Sequence, residues 1–302
     1  MKDFYMNFSQ LQSVVALAET GSFTEAAYAI DLTQSAVSYA IAALERELGI
    51  TIFERNRKGG VVLTGVGKKI MPHVRALLAQ AEAIEQEARA ARGEAAGKVR
   101  VGNIESLVAP ELFASLLTHF QRQHPEIEVV LFNGSMHEVG EWVESSIIDV
   151  GFMLMPANGL DGQLLLTDEL YALVSPEHRL GKRKAVTQSD LREESFILEK
   201  THCMRLFMQL AGFGPMRIRY QASDSATILA MVREGLGVSL TPRMVLPKKL
   251  EGVVALPFDP PQHIKIGLVT RSQELAPRGA RLFIQTARTW MQEQAAALAL
   301  QP

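Results

Sequence analysis

One predicted helix carries an unusual polar face, in the stretch LTQSAVSYAIAAL at 32–44. Its apolar residues follow the i, i+4, i+7, i+11 spacing of a buried helical stripe and are Val37, Ile41, Leu44 and Leu48. The opposite face has no charged side chain and consists of Gln34, Ser35, Ser38, Tyr39 and Ala42. A solvated face is ordinarily rich in Lys and Glu. Small hydroxyls and an amide instead allow a hydrogen-bonding partner to approach closely.

Three short helices and a hairpin are predicted at the N-terminus. Asn7 caps the first helix, and Ser22 with Glu25 forms a capping box at the start of the second. Thr33 caps the third helix, which ends before Gly49. The segment TIFERNRKGGVVLT then predicts two short strands around a glycine turn.

Composition and charge limit the class of protein. The 302 residues are enough for two or three domains, and hydrophobic content of 47% with 21% charged residues is ordinary for a soluble protein. A single cysteine excludes an internal disulfide framework and a cysteine-based zinc site. The N-terminus has no apolar signal core and no run of roughly 18 apolar residues is present. We therefore expect a cytoplasmic protein without a membrane partner.

The net charge of −2 does not by itself indicate an anionic partner, so the positions of the basic residues matter. The hairpin carries three of them near its tip, at Arg55, Arg57 and Lys58. The alternative for this region is a small helical domain with a basic hairpin and no anionic partner.

A long helix from Gly65 to about Arg92 is predicted next. Its apolar positions alternate spacings of four and three and are Ile70, Val74, Leu77, Ala81, Ile84 and Ala88. That spacing is the heptad seam of a helix that pairs with another helix. The alternative is an alanine-rich helix lying on its own domain.

After Lys98 the chain alternates strands and helices, and a second such unit begins around Pro176. This alternation predicts an α/β fold with parallel sheets covered on both faces. Two α/β units joined by crossing strands form a cleft, which is the usual place for a small ligand.

Five N-terminal motifs, in order along the chain, resemble the LysR-type family of bacterial transcriptional regulators. They are GSFTEAA in helix two, TQSAVS opening helix three, LERELG closing it, FER entering the hairpin and LTGVG leaving it. The resemblance extends over essentially the whole chain. It implies a winged helix-turn-helix at 1–65, a dimerisation helix at 66–92, and an effector-binding domain at 93–302 that resembles periplasmic binding proteins. The first lobe would comprise 98–174 with 272–302 and the second 175–271, with passages near Ser175 and Arg271.

The resemblance also implies DNA contacts. The third helix would enter the major groove, where an amide pairs with adenine and hydroxyls contact bases or phosphates. The implied contacts are Thr33, Gln34, Ser35, Ser38, Tyr39, Arg55, Arg57, Lys58 and Thr64. Further implied partners are an interrupted palindromic operator, a second copy of the chain, a dimer of dimers, and RNA polymerase.

Effector contacts are implied on both walls of the cleft. The expected residues are Glu105, Ser106, Asn133, Ser135, Met153, Thr201, His202 and Cys203. Ser106 is alternatively a simple helix cap, and Glu105 either favours an amine effector or points to solvent. The effector itself is not identified by the sequence.

Cys203, after His202, resembles the reactive position of the family's peroxide-sensing branch. A helix N-terminus, His202 and Arg205 would lower its pKa, so a thiol-responsive regulator is one alternative. That branch's usual switch needs a second cysteine, which this chain lacks, and an inert thiol is the other interpretation. A solute-binding transport component is a third alternative. The sequence shows no metal-ligand cluster, P-loop or nucleophile elbow, so we expect neither an enzyme nor a cofactor.

Overall fold

The structure, a computed structural model, describes residues 6–56, 60–92, 97–104, 107–157, 159–200, 208, 212–247 and 249–299. The chain divides into two compact units. The first comprises Met1–Arg92 with Glu144–Ile147, and the second comprises Gly93–Val143 with Ile148–Pro302. No helix within the described ranges is long and apolar enough to span a bilayer.

The N-terminal unit contains four helices and a two-stranded antiparallel hairpin among its described residues. The helices are α1 (Phe8–Thr20), α2 (Phe23–Ala29), α3 (Gln34–Leu48) and α4 (Gly65–Ala91). The hairpin strands are β1 (Phe53–Arg55) and β2 (Val61–Leu63).

Local side-chain chemistry sets the helix ends. Asn7 and Gln10 form a complete capping box at the start of α1, and α1 ends at Gly21, whose φ of 66° is left-handed. Thr33 caps α3 through the backbone N–H of Ala36, as predicted. The predicted capping box at Ser22 is only half formed, because the Ser22 N–H bonds to the Thr20 hydroxyl instead.

The core of this unit lies where α1, α2, α3 and the start of α4 meet. Its fully buried residues include Val14, Leu17, Val37, Leu44 and Ile52. The predicted apolar stripe of α3 is therefore buried, and the opposite face of α3 is left outside the core.

A mixed sheet dominates the second unit, in the order β10-β6-β11-β5-β3-β4 with β9 also paired to β6. Its strands are β3 (Gly97–Ile104), β4 (Ile127–Gly134), β5 (Val150–Leu154), β6 (Asp161–Val174), β9 (Ser239–Pro242), β10 (Val254–Pro257) and β11 (His263–Thr270). Strand β3 pairs in parallel with both β4 and β5, but β11 is antiparallel to β5 and β6. The expectation of purely parallel sheets was therefore wrong.

Helices complete the second unit. They are α5 (Pro110–Gln123), α6 (Met136–Glu144), α7 (Ser225–Arg233) and α8 (Arg278–Ala299). Helices α5 and α8 enclose an aromatic core with the sheet, in which Phe120 and Phe152 each contact Phe283 edge to face.

The second lobe is built on the far half of β6. The first part of β6 pairs with β11, whereas 170–174 pairs with β9 and β10. A separate parallel pair, β7 (Ser195–Glu199) and β8 (Arg217–Ala222), packs with α7 around a second apolar cluster. Since β11 pairs with β5, it belongs with the first lobe. The passages near Ser175 and Arg271 stay predictions, and the pairing of β11 with β5 favours a second passage that lies before β11.

Candidate nucleic-acid interface

The polar face of α3 is accessible in the folded chain. Gln34 and Ser35 are exposed, Ser38 is half-buried, and 71% of Tyr39 is exposed. The residues behind them, Val37 and Leu44, are fully buried in the N-terminal core. A rigid core therefore presents two hydroxyls, an amide and a phenol on one helix face.

The first turn of α3 is held in place by hydroxyl groups. Thr33 Oγ1 accepts the Ala36 N–H at 3.2 Å, and it lies 3.1 Å from Ser35 Oγ. These bonds satisfy an end of the helix that lacks intrahelical partners. Thr33 therefore positions the face as well as lying beside it.

Hydrogen bonds tie the hairpin to α1, α2 and α3. The Val61 N–H donates to the Gly21 carbonyl at 3.1 Å, at the turn between α1 and α2. The Glu45 carboxylate of α3 accepts the N–H groups of Ile52 and Phe53 at 2.6 and 3.2 Å. The hairpin thus has a fixed orientation relative to α3.

Of the three basic residues predicted near the tip of the hairpin, Arg55 lies within the described residues. Arg55 ends β1 and is exposed. Arg57 and Lys58 lie outside the described residues. The part of the hairpin that is described brings one guanidinium to the outside of the N-terminal unit.

Thr64 has a structural role that the sequence did not reveal. Its hydroxyl donates to the Thr51 carbonyl at 2.7 Å and accepts the Gly67 N–H at 3.0 Å, which caps α4. A phosphate contact needs a donor, and a threonine hydroxyl has only one hydrogen. The hydroxyl hydrogen of Thr64 is thus used in the bond to Thr51, and a direct contact of Thr64 with DNA stays a prediction.

Sequence reasoning did not single out Tyr28, near the end of α2. This side chain is 88% exposed, and Leu32 in the following turn is 40% exposed. The signal was present in the sequence, because Ala26, Ala27 and Ile30 point inward and so direct position 28 outward.

The predicted seam on α4 divides into two parts. Val74 is 3% exposed and lies in the core of its own unit, and Ile70 packs against the same core. The ion pair between Arg75 and Glu19, at 3.1 Å, also fixes this part of α4 to α1. The side chains of Ile70 and Val74 therefore pack within their own chain, which the heptad pattern alone could not show.

The remaining part of the seam is open. In the single chain Leu77 is 46% exposed and Ile84 is 71% exposed, while Ala81 is half-buried and Ala88 exposed. Two large apolar side chains on one exposed helix face are typical of a surface that a partner covers.

Few of the expected effector residues fall in the described part of the chain. Glu105, Ser106, Thr201, His202 and Cys203 lie outside the described residues. Asn133 is exposed near the end of β4. Its described neighbours include Asn103, opposite it on β3.

Two other expected effector residues have structural roles. Ser135 forms a capping box with Glu138: its N–H donates to the carboxylate at 2.8 Å and its hydroxyl accepts the Glu138 N–H at 3.3 Å. The first of these bonds lowers the pKa of Glu138. Met153 is buried at 6% exposure and packs near Gly140 of α6. Neither arrangement had been anticipated.

A buried acceptor on β3 was missed. Asn103 Oδ1 is buried and has no hydrogen-bond partner among the described residues. It lies at the carboxyl end of β3, directly before the segment that contains Glu105 and Ser106. Such an oxygen is costly unless another group bonds to it, so Asn103 joins the candidate ligand contacts.

Comparison with known proteins agrees with this arrangement. Two protein families match the sequence. Residues 8–68 match the family of bacterial regulatory helix-turn-helix proteins, lysR family, and residues 92–292 match the LysR substrate binding domain. The HTH-type transcriptional regulator YvbU of Bacillus subtilis is 32% identical over 289 residues, covering 94% of this chain and 98% of YvbU.

Two solved structures show the same fold. A full-length variant of OxyR from Pseudomonas aeruginosa superposes with a TM-score of 0.79 at 25% identity, over 95% of this chain and 96% of that chain. CbnR complexed with its target DNA has a TM-score of 0.59 at 24% identity, over 94% and 99% of the two chains. With a lysR helix-turn-helix followed by the family's substrate-binding domain, the chain belongs to the LysR family of DNA-binding transcriptional regulators that carry an effector-binding domain.

Proposed function

We propose that α3 is the recognition helix of this regulator and that Gln34, Ser35, Ser38 and Tyr39 face the base edges of the major groove. The observation that carries this proposal is the exposed, uncharged face of α3 on a rigid core. Hydroxyls and an amide read base edges at short range, whereas a fringe of charged side chains would hold the helix away.

The hairpin is the wing, and its basic residues Arg55, Arg57 and Lys58 contact phosphates or the minor groove. Because Glu45 and Gly21 fix the hairpin to the helices, the wing and α3 reach the same duplex together. Tyr28 adds an exposed phenol beside this surface, and its hydroxyl is a candidate hydrogen-bond donor to a DNA phosphate.

Pairing of two chains through α4 brings two recognition helices to the two halves of an interrupted palindrome. Leu77, Ala81, Ile84 and Ala88 form this seam. A dimer of such dimers and contact with RNA polymerase are extensions of the same proposal, which places the protein in the cytoplasm and gives it no catalytic role.

Effector binding takes place between the two lobes. Ser106 with Asn103 on one wall and Thr201 with His202 on the other supply polar contacts. A ligand that binds one arrangement of the lobes better than another shifts the population of DNA-binding states by that difference in affinity.

Replacement of Ser38 by Glu tests the orientation of α3. The variant places a carboxylate against base edges and phosphates, so we expect loss of operator binding in a gel shift with unchanged thermal unfolding. Gln12→Glu adds the same charge to an exposed position of α1 and should bind like the parent. Undiminished binding by Ser38→Glu at the same salt concentration would overturn the proposed orientation.

A thiol-responsive regulator is the second candidate, favoured by the similarity to OxyR. The chain has a single cysteine, Cys203, so an intrachain disulfide is excluded. The remaining route is attack of the thiolate on hydrogen peroxide, which gives a sulfenic acid and hydroxide. Peroxide should then alter operator binding of the parent but not of Cys203→Ser, and an equal response of both would eliminate this candidate.

A further inference from the structure

A polar cavity of about 390 Å³ lies in the first lobe, between the start of β6, the segment 273–276 and α8. Two arginines, Arg281 and Arg288, line it together with glutamine and threonine side chains, and Ala276 and Ile284 supply apolar surface. No aspartate or glutamate is among the described residues that line it. The cavity therefore combines two positive charges with neutral hydrogen-bonding groups.

A chain of hydrogen bonds holds one side of the cavity in place. Arg288 Nη1 donates to Gln163 Oε1 at 3.0 Å, and Gln163 Nε2 donates to Gln273 Oε1 at 2.6 Å. The carboxylate next in this chain belongs to Asp161, which accepts the Gln273 backbone N–H at 2.9 Å. An amide oxygen thus orients the Arg288 guanidinium at the wall of the cavity.

Arg281 is oriented in a similar way. Its Nη1 donates to the Ala276 carbonyl at 2.6 Å, across the start of α8. A neutral oxygen therefore helps to position each guanidinium group. Guanidinium groups bind carboxylate and phosphate through paired, charge-assisted hydrogen bonds.

The spacing of the arginines limits the shape of a ligand. They are seven residues apart, which is two helical turns or roughly 10 Å along α8. Ile284 and Gln285 lie between them in sequence and both line the cavity, so the surface between the charges combines an apolar side chain with an amide. The cavity volume falls in the range of small-molecule sites.

We propose that this cavity binds a small dianion whose two carboxylate or phosphate groups are joined by a short chain. Of the expected cleft residues that the structure describes, Asn133, Ser135 and Met153, none lines this cavity. It also borders β6, the strand that continues into the second lobe, so ligand bound here contacts an element that both lobes share.

Calorimetric titration of the full-length protein at low, fixed ionic strength tests the proposal. The probes are succinate, adipate, suberate and fructose 1,6-bisphosphate, with butyrate as the monoanion. We expect saturable binding of at least one dianion, with Kd at least tenfold weaker in Arg288→Gln and in Arg281→Gln. Lys184→Gln removes one exposed charge from the second lobe and should bind like the parent.

Thermal unfolding of each variant shows whether it folds. If Arg281→Gln does not fold, the binding measurement on Arg288→Gln decides, because Arg288 is an exposed residue. A preference for the dicarboxylates or for the bisphosphate identifies the anionic groups, and either supports the site. Absence of saturable binding, equal binding of butyrate, or Kd values that neither arginine variant changes would each overturn it.

Discussion

The carboxylate of Glu45 accepts the backbone N–H of Ile52 at 2.6 Å and joins α3 to the hairpin. The Ile52 carbonyl in turn accepts the Thr64 N–H at 2.9 Å, at the start of α4. One short segment therefore connects α3, the hairpin and α4. A rotation of α4 would be transmitted to α3 and the hairpin through these bonds.

Replacement of Glu45 by Ala should weaken operator binding without changing the residues that face DNA. The change leaves the N–H groups of Ile52 and Phe53 without an acceptor, and both residues are buried. Each unsatisfied buried donor costs about 1–3 kcal/mol, so the unfolding free energy should fall by at least that amount. Glu45→Gln keeps a side-chain oxygen and should lie close to the parent. Equal losses for both variants, in gel shift and in denaturant unfolding, would contradict this role.

Gly67 allows α4 to lie directly against the wing. A Cβ at this position would collide with the Ile52 carbonyl oxygen, so Gly67→Ala should reduce stability by about 1–3 kcal/mol and loosen the wing. Gly65, two residues earlier, has open space around an added Cβ. We expect Gly65→Ala to unfold at the same temperature as the parent or slightly higher. If calorimetry gives the two variants equal midpoints, the close approach is not required.

Local features of the N-terminal unit could be predicted from the sequence. The cap at Thr33, the left-handed ends at Gly21 and Gly49, and the buried stripe of α3 depend on residues within about one turn of each other. Hydrophobic periodicity identifies such elements because each residue's neighbours along the helix are also its neighbours in sequence.

Long-range contacts account for what the sequence did not reveal. The Thr64 hydroxyl is engaged by Thr51, 13 residues away, and Val74 packs into a core formed mainly by α1 to α3. Strand β11 inserts antiparallel beside β5, more than 100 positions earlier in the chain. A strand's direction is not encoded in its own residues, so alternation alone could not show that β11 runs antiparallel to β5.

Two carboxylates of the effector-binding domain, Asp168 and Asp190, should contribute to stability with opposite dependence on pH. Burial raises the pKa of Asp168, against the effect of the Met244 N–H that its carboxylate accepts at 2.8 Å. Because its pKa is higher folded than unfolded, the ionised group costs stability above the folded pKa, and the cost vanishes below the unfolded pKa of about 3.9. Asp168→Asn keeps an acceptor for Met244. It should raise the thermal midpoint at pH 7, by an amount that shrinks as pH falls.

Asp190 provides the control, because its pKa is shifted in the opposite direction. The Thr187 N–H and hydroxyl and the Arg183 guanidinium hold its pKa below the usual range. Its ionised form therefore stabilises the fold above the unfolded pKa, and the contribution is lost as pH falls through the folded pKa. Asp190→Asn should lower the midpoint at pH 7 and approach the parent on acidification. Shifts of the same sign in both variants would refute these assignments.

Leu77 and Ile84 provide the test of the dimer seam. Both side chains are substantially exposed in the single chain, so changing both to Asp should leave the fold of each protomer intact. In a symmetric interface the change buries four carboxylates, and even one unpaired buried charge is strongly destabilising. We expect monomers, or at least much weaker association, in sedimentation equilibrium, and weak binding to a two-half-site operator. Replacement of both by Met keeps the face apolar and should preserve association. A stable dimer of the Asp variant would place the interface on another face of the protein.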